Sequence, residues 1–290
     1  GLERSTKSLT YTDLKGMTVV KEKIVHNTSK SPDQEATRTA LANRVNAWRA
    51  FDGTLKPSFE KVNPRSSNYT LFLEKNAKIA RVYLPKDVAR NRGCVLAEFI
   101  IGEGPLPAIT VTENAGTWLT NIDLGELEIT PQTTVAQFSY ALMTAPGFQF
   151  DRGDRLAFYR ACQKVDTIGE LILPRAKVYT SIIVLDLTDS STLYSHAGPD
   201  GFQTTAMTVN GATHRYLSAP MEQDTLVAWM PARTVNDRTV VGYTTLHGPN
   251  SLLAQYTTPS ALFDAAKSYG PAKSEDYLSR TSNDPYDPRR

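Results

Sequence analysis

The sequence lacks long apolar runs, and it has few cysteines and histidines. No segment is apolar for the roughly 18–20 residues that a membrane helix needs, and the longest apolar stretches, Cys94–Ile101 and Ser181–Leu187, suit buried strands. The 2 cysteines and 4 histidines are dispersed, so no metal site of known pattern is expected. Cys94 and Cys162 are predicted to be buried thiols, although a disulfide stays open if their strands pair.

Motifs for metal, nucleotide or covalent chemistry are also missing. The chain contains no His-Glu-x-x-His helix, no Cys-x-x-Cys pair, no Gly-x-Ser-x-Gly elbow, no Walker loop and no Gly-x-Gly-x-x-Gly turn. We therefore expect no catalytic residue, no cofactor and no metal. The sequence predicts that the protein is not an enzyme.

Three carboxylates leave one enzymatic alternative open. Asp151, Asp154 and Asp166 are of the type that pairs for general acid–base work, as in glycoside hydrolysis, but nothing in the sequence places them together. A hydrolase with a pocket near the first two is therefore a third-ranked hypothesis. The same stretch contains Arg152-Gly153-Asp154, an adhesive tripeptide, which we interpret as a turn that leads into a strand.

Charge of one sign is not in excess. The formal net charge is +2, which is too small to make the whole protein an electrostatic nucleic-acid binder. Basic residues concentrate locally at Arg81, Lys86, Arg90 and Arg92, and a cluster of this kind is typical of a solvated face. We expect neither a nucleic-acid partner nor a membrane partner.

Helical periodicity appears near the N-terminus. A helix is predicted from Ser31 to Phe51, because Leu41, Val45 and Trp48 recur at helical spacing. A second, shorter helix is predicted from Asn68 to Ala80. Two further helices are expected at 135–143, capped by Thr133 or Thr134, and at 260–269.

From residue 81 onward the pattern changes to short β-branched and aromatic runs separated by Gly, Pro, Asn and Asp. Val209-Asn210-Gly211-Ala212 is a strong signal for a two-residue hairpin turn, and Val235-Asn236-Asp237-Arg238 is a weaker one. Many short strands favour a sandwich or barrel over parallel winding. The predicted strands are 80–84, 95–101, 108–113, 156–162, 178–187, 202–209, 214–218, 225–230, 239–245 and 252–256.

The sequence thus predicts a mainly β fold with a small N-terminal helical element, two β-sandwich-like domains and extended terminal arms. The expected division is an arm at 1–30, a helical element at 31–80, a first β domain with one inserted helix at 81–190, a second β domain at 191–259, and a short helix with an extended tail at 260–290.

Both ends of the chain are polar. The tail at 271–290 contains three prolines and offers little more than two tyrosines for burial. Such ends are disordered unless something ties them down, so we expect them to pack on neighbouring subunits. The expected anchors are the large apolar side chains of the two arms, Tyr11, Val19, Val20, Ile24, Tyr277 and Tyr286.

Three motifs follow one another in the first 80 residues. Tyr11 precedes Gly16-Met17-Thr18-Val19-Val20, a helix opens with Pro and Gln at 31–38, and an aromatic-rich run extends from Asn68 to Asn76. Together they resemble a family of uncharacterised proteins from Bacteroidota and their phages, over residues 5–80. Lys21 and Asp33 depart from the usual Arg and Thr of that family. The resemblance implies a phage-linked context and a structural role, and it supplies no catalytic residue.

The leading hypothesis is a non-enzymatic structural protein of a phage virion or similar multi-subunit assembly. It would be made in the host cytoplasm, and its partners would be copies of itself and other virion subunits. The alternative is a carbohydrate- or host-surface-binding β-sandwich module at the bacterial surface, with a glycan as partner. That alternative requires an exposed aromatic platform, whereas Trp48, Trp118 and Trp229 lie in periodic segments and are predicted to be core.

Overall fold

The computed structural model is mainly β: strands make up 39% and helices 26% of the described residues. This confirms the predicted fold class. The structure describes residues 9–14, 17–22, 32–51, 55–60, 66–78, 82–198, 202–249 and 254–269.

Strands and short helices alternate along these ranges. The strands are β1 (Leu9–Leu14), β2 (Met17–Glu22), β3 (Ser58–Phe59), β4 (Ile100–Glu103), β5 (Val111–Asn114), β6 (Thr117–Asp123), β7 (Arg155–Ile168), β8 (Leu171–Val184), β9 (Gln203–Val209), β10 (Ala212–Pro220), β11 (Thr225–Val235), β12 (Arg238–Val241) and β13 (Thr244–Thr245). The helices are α1 (Pro32–Ala50), α2 (Asn68–Lys75), α3 (Lys86–Arg90), α4 (Val135–Thr144), α5 (Leu193–Ala197) and α6 (Pro259–Tyr269).

A four-stranded antiparallel sheet in the order β12-β11-β7-β8 lies at the centre. Successive side chains of a strand point to opposite faces, and in β11 both sets are buried. Leu226, Ala228 and Met230 belong to one core, and Val227 and Trp229 belong to the other. Because both faces of this central sheet are apolar, a layer of structure covers each of them.

One face of the central sheet is covered by a second antiparallel sheet, β5-β6-β10-β9, and by α4. Trp118 of β6, Leu217 of β10 and Phe138 of α4 are buried there together with Phe158 of β7 and Trp229 of β11. Two sheets that share one core form the sandwich-like part of the molecule.

The other face is covered by α1, α2 and a small sheet in the order β13-β4-β3. Phe51, directly after α1, and Phe72 of α2 pack with Tyr159 of β7 in this core, and the Tyr159 hydroxyl donates to the Leu55 carbonyl oxygen at 2.8 Å. The N-terminal helices therefore complete the core of the central sheet.

Buried side-chain amides hold the irregular segment that precedes β4. Asn43 of α1 bonds both backbone groups of Val95, accepting from its N–H at 2.8 Å and donating to its carbonyl oxygen at 2.9 Å. Gln163 of β7 accepts from the Leu96 N–H at 2.8 Å and donates to the Cys94 carbonyl oxygen at 3.0 Å. Buried backbone groups need partners, and here side chains supply them where a neighbouring strand does not.

Turns and caps predicted from local sequence are confirmed. Asn210-Gly211 and Asn236-Asp237 are the two-residue turns of the β9–β10 and β11–β12 hairpins, and all four residues have a positive φ, between 49° and 81°. Helix α4 begins at Thr134, whose side chain accepts from the Gln137 N–H while Gln137 caps the Thr134 N–H.

Three predicted strands are wrong over their described residues. Residues 82–84 are irregular, the strand predicted at 95–101 begins only at Ile100, and residues 254–256 form a 3₁₀ turn. An apolar run of this length does not distinguish a strand from another buried segment. Conversely, the sequence analysis does not predict β6, α3 or α5.

The two sheets of the sandwich interleave along the chain. The central sheet contains β7 and β8 from before residue 190 and β11 and β12 from after it, and the second sheet likewise joins β5 and β6 to β9 and β10. The predicted division of the β region at 190/191 therefore does not separate one sheet from another.

Both cysteines are free thiols, as the sequence predicts. Cys94 is buried, and burial raises the pKa of its thiol to about 12. Cys162 of β7 is half-buried. A thiol with a raised pKa stays protonated and unreactive at neutral pH.

We expect Asn43→Ala to lower the free energy of unfolding by about 2–4 kcal/mol, because it leaves the buried N–H and carbonyl of Val95 without partners. Leu41→Ala, at an exposed position of the same helix, is the control and should cost less than about 1 kcal/mol. Urea denaturation followed by circular dichroism measures both. Equal losses in the two variants would contradict the assigned role of Asn43.

Stability should also depend on the protonation of His247. Burial lowers the pKa of this imidazole below its ordinary value of 6.5, so the unfolded chain binds the proton more readily than the folded chain. The free energy of unfolding is therefore expected to fall as the pH is lowered through 6.5 toward the folded-state pKa. Melting temperatures between about pH 8 and about pH 5 should show a shallower decline for His247→Gln than for the parent.

The exposed Leu41, whose side chain carries no titratable group, provides the comparison for this titration. Leu41→Ala should follow the pH profile of the parent chain. If His247→Gln and the parent declined in parallel, His247 would not be the group responsible.

Candidate assembly interface

The β7–β8 hairpin projects beyond the central sheet. Strand β11 pairs with β7 only between Arg155 and Cys162, whereas β7 and β8 remain paired as far as Ile168 and Leu171. The outer part of the hairpin, residues 164–172, is therefore a two-stranded projection, and we call it the hairpin tip.

The hairpin tip exposes three aliphatic side chains. Val165 is 54%, Ile168 51% and Ile172 59% accessible. Val165 pairs with Pro174, and Thr167 pairs with Ile172, so Val165 and Ile172 are diagonal neighbours on one face. Further down the hairpin, Leu173 is fully buried with α3 residues in a small core. Ile168 pairs with Leu171 and therefore lies on the opposite face. The tip thus exposes apolar side chains on both of its faces, on a base that is firmly packed.

The structure shows part of the predicted N-terminal arm as a hairpin. Strands β1 and β2 pair antiparallel, with Tyr11 opposite Val20 and Thr12 opposite Val19. Among the described strands they form a sheet of their own and join no other. Three of the predicted anchors thus lie in this hairpin, while the other three, Ile24, Tyr277 and Tyr286, lie outside the described residues.

Arg233 holds the carboxylates of the predicted turn. Its guanidinium donates to both oxygens of Asp154, at 2.8 and 2.7 Å, and lies 2.9 Å from Asp151. The hydrogen bond to Asp154 raises the pKa of Arg233, so the cation is permanent. Asp166 lies apart, on the hairpin tip, where it pairs with Arg175 at 3.3 Å. The structure therefore brings Asp151 and Asp154 together, and both carboxylates form ion pairs with the same arginine, Arg233.

The Arg152-Gly153-Asp154 turn is built to support the sheet. Asp154 is only 4% exposed and also accepts from the Asp151 N–H at 2.8 Å, and Gly153 has a φ of 87°. Arg152 pairs with Asp186 at 2.9 Å. The aspartate of this tripeptide is thus buried in the turn, which confirms the structural interpretation of the motif.

A serine–histidine contact near α5 escaped the sequence analysis, because its members lie in a polar loop with no motif spacing. His196 Nε2 lies 2.8 Å from Ser191 Oγ, and the Ser191 hydroxyl donates to Asp189 Oδ1 at 2.6 Å. The hydroxyl and the backbone N–H of Ser191 both donate to the Asp189 carboxylate, and these two bonds lower the pKa of Asp189. A nucleophilic serine would donate to the histidine; here the hydroxyl donates to the carboxylate and orders the loop.

The remaining polar features are dispersed. A cleft of about 640 Å³ lies between β3, β4 and β12, with Glu60, Glu103 and Arg238 in its walls, and Glu103 is paired with Lys75 at 2.9 Å. Of the predicted basic cluster, Arg90 and Arg92 are exposed around α3, and Arg81 lies outside the described residues.

Within the described ranges, no group of three or more His, Cys, Asp and Glu side chains is placed to hold a metal ion. None of the helices that the structure describes is long and apolar enough to cross a membrane.

No family model, curated protein or solved structure matches this chain. The resemblance of residues 5–80 to proteins of Bacteroidota and their phages therefore stays a prediction. The function is inferred from the geometry of the exposed elements.

The hairpin tip should be dispensable for folding of the single chain. We expect Ile172→Ala to change the free energy of unfolding by less than about 1 kcal/mol, because the side chain is exposed. Its neighbour Leu173 is buried, so Leu173→Ala should cost about 2–5 kcal/mol. Denaturant titration of the two variants at low protein concentration tests this, and a large loss for Ile172→Ala would place the tip in the core.

Proposed function

We propose that this chain is a non-enzymatic structural subunit of a phage virion or similar multi-subunit assembly. Its exposed hairpin tip and its terminal segments pack against neighbouring subunits. The observation that carries the proposal is a set of exposed aliphatic side chains at the end of a projecting hairpin, with Val165 and Ile172 on one face and Ile168 on the other.

Packing within the single chain does not account for these exposed side chains. Scattered exposed aliphatic residues are ordinary on a monomer, but these three lie within eight consecutive residues of one projection. Burying apolar area is worth about 25 cal/mol per Å², and central apolar anchors of an interface contribute about 1–3 kcal/mol each. Contact with a neighbouring subunit is the arrangement in which these side chains add stability.

The N-terminal hairpin supports the same conclusion. A two-stranded hairpin is at best marginally stable in water on its own, and β1 and β2 join no other described strand. Packing on a neighbouring subunit would stabilise it and would engage the predicted anchors Tyr11, Val19 and Val20. The phage context rests on the resemblance of residues 5–80, and the virion, formed in the host cytoplasm, is the location that it implies.

The glycan-binding alternative finds less support in the positions of the tryptophans. Trp118 and Trp229 are buried between the two large sheets. Trp48 packs against Tyr69 and Phe72, with ring centroids 5.6 and 5.5 Å apart. A flat indole platform for a sugar is therefore absent from the tryptophans that the structure describes.

The proposal is tested by the assembly state of the full-length chain. Native mass spectrometry and negative-stain imaging should show multi-subunit particles for the parent. The double variant Val165→Thr with Ile172→Thr keeps β-branched side chains but makes the tip polar, and it should need at least about tenfold more protein to assemble.

Tyr140→Gln is the matched control for this experiment. Tyr140 is 65% exposed on α4, away from the hairpin, so its replacement should leave assembly unchanged. A parent chain that stays monomeric at all concentrations would overturn the proposal, and equal assembly of parent and double variant would remove the hairpin tip from the interface.

A further inference from the structure

The outer edge of the central sheet is unpaired along much of β8. Strand β8 ends the order β12-β11-β7-β8, and it is the longest of the described edge strands, with 14 residues against 4 in β12, 4 in β5 and 7 in β9. A sheet edge of this length offers a row of backbone N–H and C=O groups to another strand.

The direction of these backbone groups follows from two hydrogen bonds. The Pro174 carbonyl accepts from the Cys94 N–H, so Pro174 faces away from β7, whereas the N–H of Leu185 donates to Asp154 at the end of β7. Direction alternates along a strand, and the β7–β8 register has no bulge. Even-numbered residues of β8 therefore face outward.

The outward groups between Ala176 and Ile182 have no described backbone partner. Helices α1 and α5 lie near β8, yet no backbone group among the described residues bonds to Ala176, Val178, Thr180 or Ile182 from the outer side. The open edge, as we call residues 176–184, thus carries backbone groups that no described residue uses on the outer side.

Sequence features that usually protect an edge are missing from residues 178–184 of the open edge. Natural edge strands carry lysine, proline or a bulge that prevents pairing with other chains. The first half of β8 has Pro174, Arg175 and Lys177, but Val178–Leu185 contains no charged residue and no proline. Six of these eight residues are β-branched or aromatic, a composition that favours strand pairing. An edge of this kind is suited to a β-strand partner.

The N-terminal hairpin, β1–β2, matches this edge in length. Each of its strands has six residues, or about 20 Å at 3.3 Å per residue, and the stretch Val178–Ile183 of β8 has the same number of residues. The hairpin is an isolated two-stranded sheet, so one of its strands is free to pair on its outer side. The β1–β2 hairpin pairs with no other described strand, and the central sheet has an unpaired described edge at β8.

We propose that the open edge of β8 binds the β1–β2 hairpin of a second copy of this chain, which extends the central sheet from four strands to six. Among the described strands of one chain the two sheets do not pair with each other, and the partner that we assign is therefore another copy. The contact joins different surfaces of the two copies, and a contact of that type generates rings or filaments. This inference rests on the proposed assembly function and specifies one of its interfaces.

Proline at position 180 tests the proposal directly. Thr180→Pro removes an outward N–H from the middle of the open edge and leaves the β7–β8 ladder intact; Pro174 already occupies an equivalent outward position in β8. Thr180→Ala is the matched control, since it shortens the same side chain and keeps the N–H.

Native mass spectrometry of the full-length chains should show oligomers for the parent and for Thr180→Ala. Thr180→Pro should need at least about tenfold more protein to form them. If Thr180→Pro assembled as well as the parent, the open edge would not be the interface, while the proposed assembly function would stand. If the parent formed no oligomer, both proposals would be overturned.

Amide hydrogen exchange on the unmodified chain decides the matter even where Thr180→Pro fails to fold. The N–H groups of Val178, Thr180 and Ile182, and those on the outer side of one hairpin strand, should exchange at least about tenfold more slowly in the oligomer than after dilution to monomer. Equal exchange in both states would overturn the proposal. Protection of these groups in the monomer would show that the hairpin binds its own chain, which overturns the second copy as the occupant.

Discussion

Burial of both faces of the central sheet is the constraint on which the rest of the structure depends. Every residue from Thr225 to Ala232 of β11 is buried, so the side chains on both faces of this strand are shielded from water. An antiparallel sheet usually has one solvated face, and a second covering layer is needed when both are apolar. The β5-β6-β10-β9 sheet supplies one layer, and the N-terminal helices with the amide-bonded segment before β4 supply the other.

The sequence predicts those features whose cause is local. The turn at Asn210-Gly211 and the capping box at Thr134 depend on residues within a few positions of each other, and helix α1 is visible in its apolar period. The apolar run at 95–101 predicts a strand, but its residues 95–99 are irregular. Its conformation depends on Asn43 and Gln163, which are 52 and 67 positions away from the backbone groups they bind, and no local pattern reports them.

The candidate interface has the same asymmetry between local and distant causes. Val165, Ile168 and Ile172 lie outside the strands predicted at 156–162 and 178–187, because the sequence analysis does not predict that β7 and β8 extend to Ile168 and Leu171. They are exposed because β11 begins at Thr225, whose partner is Cys162, so the neighbouring strand ends before the tip begins. The anchors of the two arms are predicted only from the composition of the chain ends, which contain few apolar residues. Of these anchors, Tyr11, Val19 and Val20 fall within the described strands.

The two exposed features of β8 belong to one continuous strand, and this links them physically. The hairpin tip offers apolar side chains at one end of β8, and the open edge offers backbone groups along the rest. Backbone pairing alone gives little selectivity between strands, because every strand carries the same groups. An apolar contact at a defined distance from the pairing site selects a partner of matching length and orientation. In the proposed assembly, the apolar tip and the uncharged edge residues 178–184 would together select the partner strand.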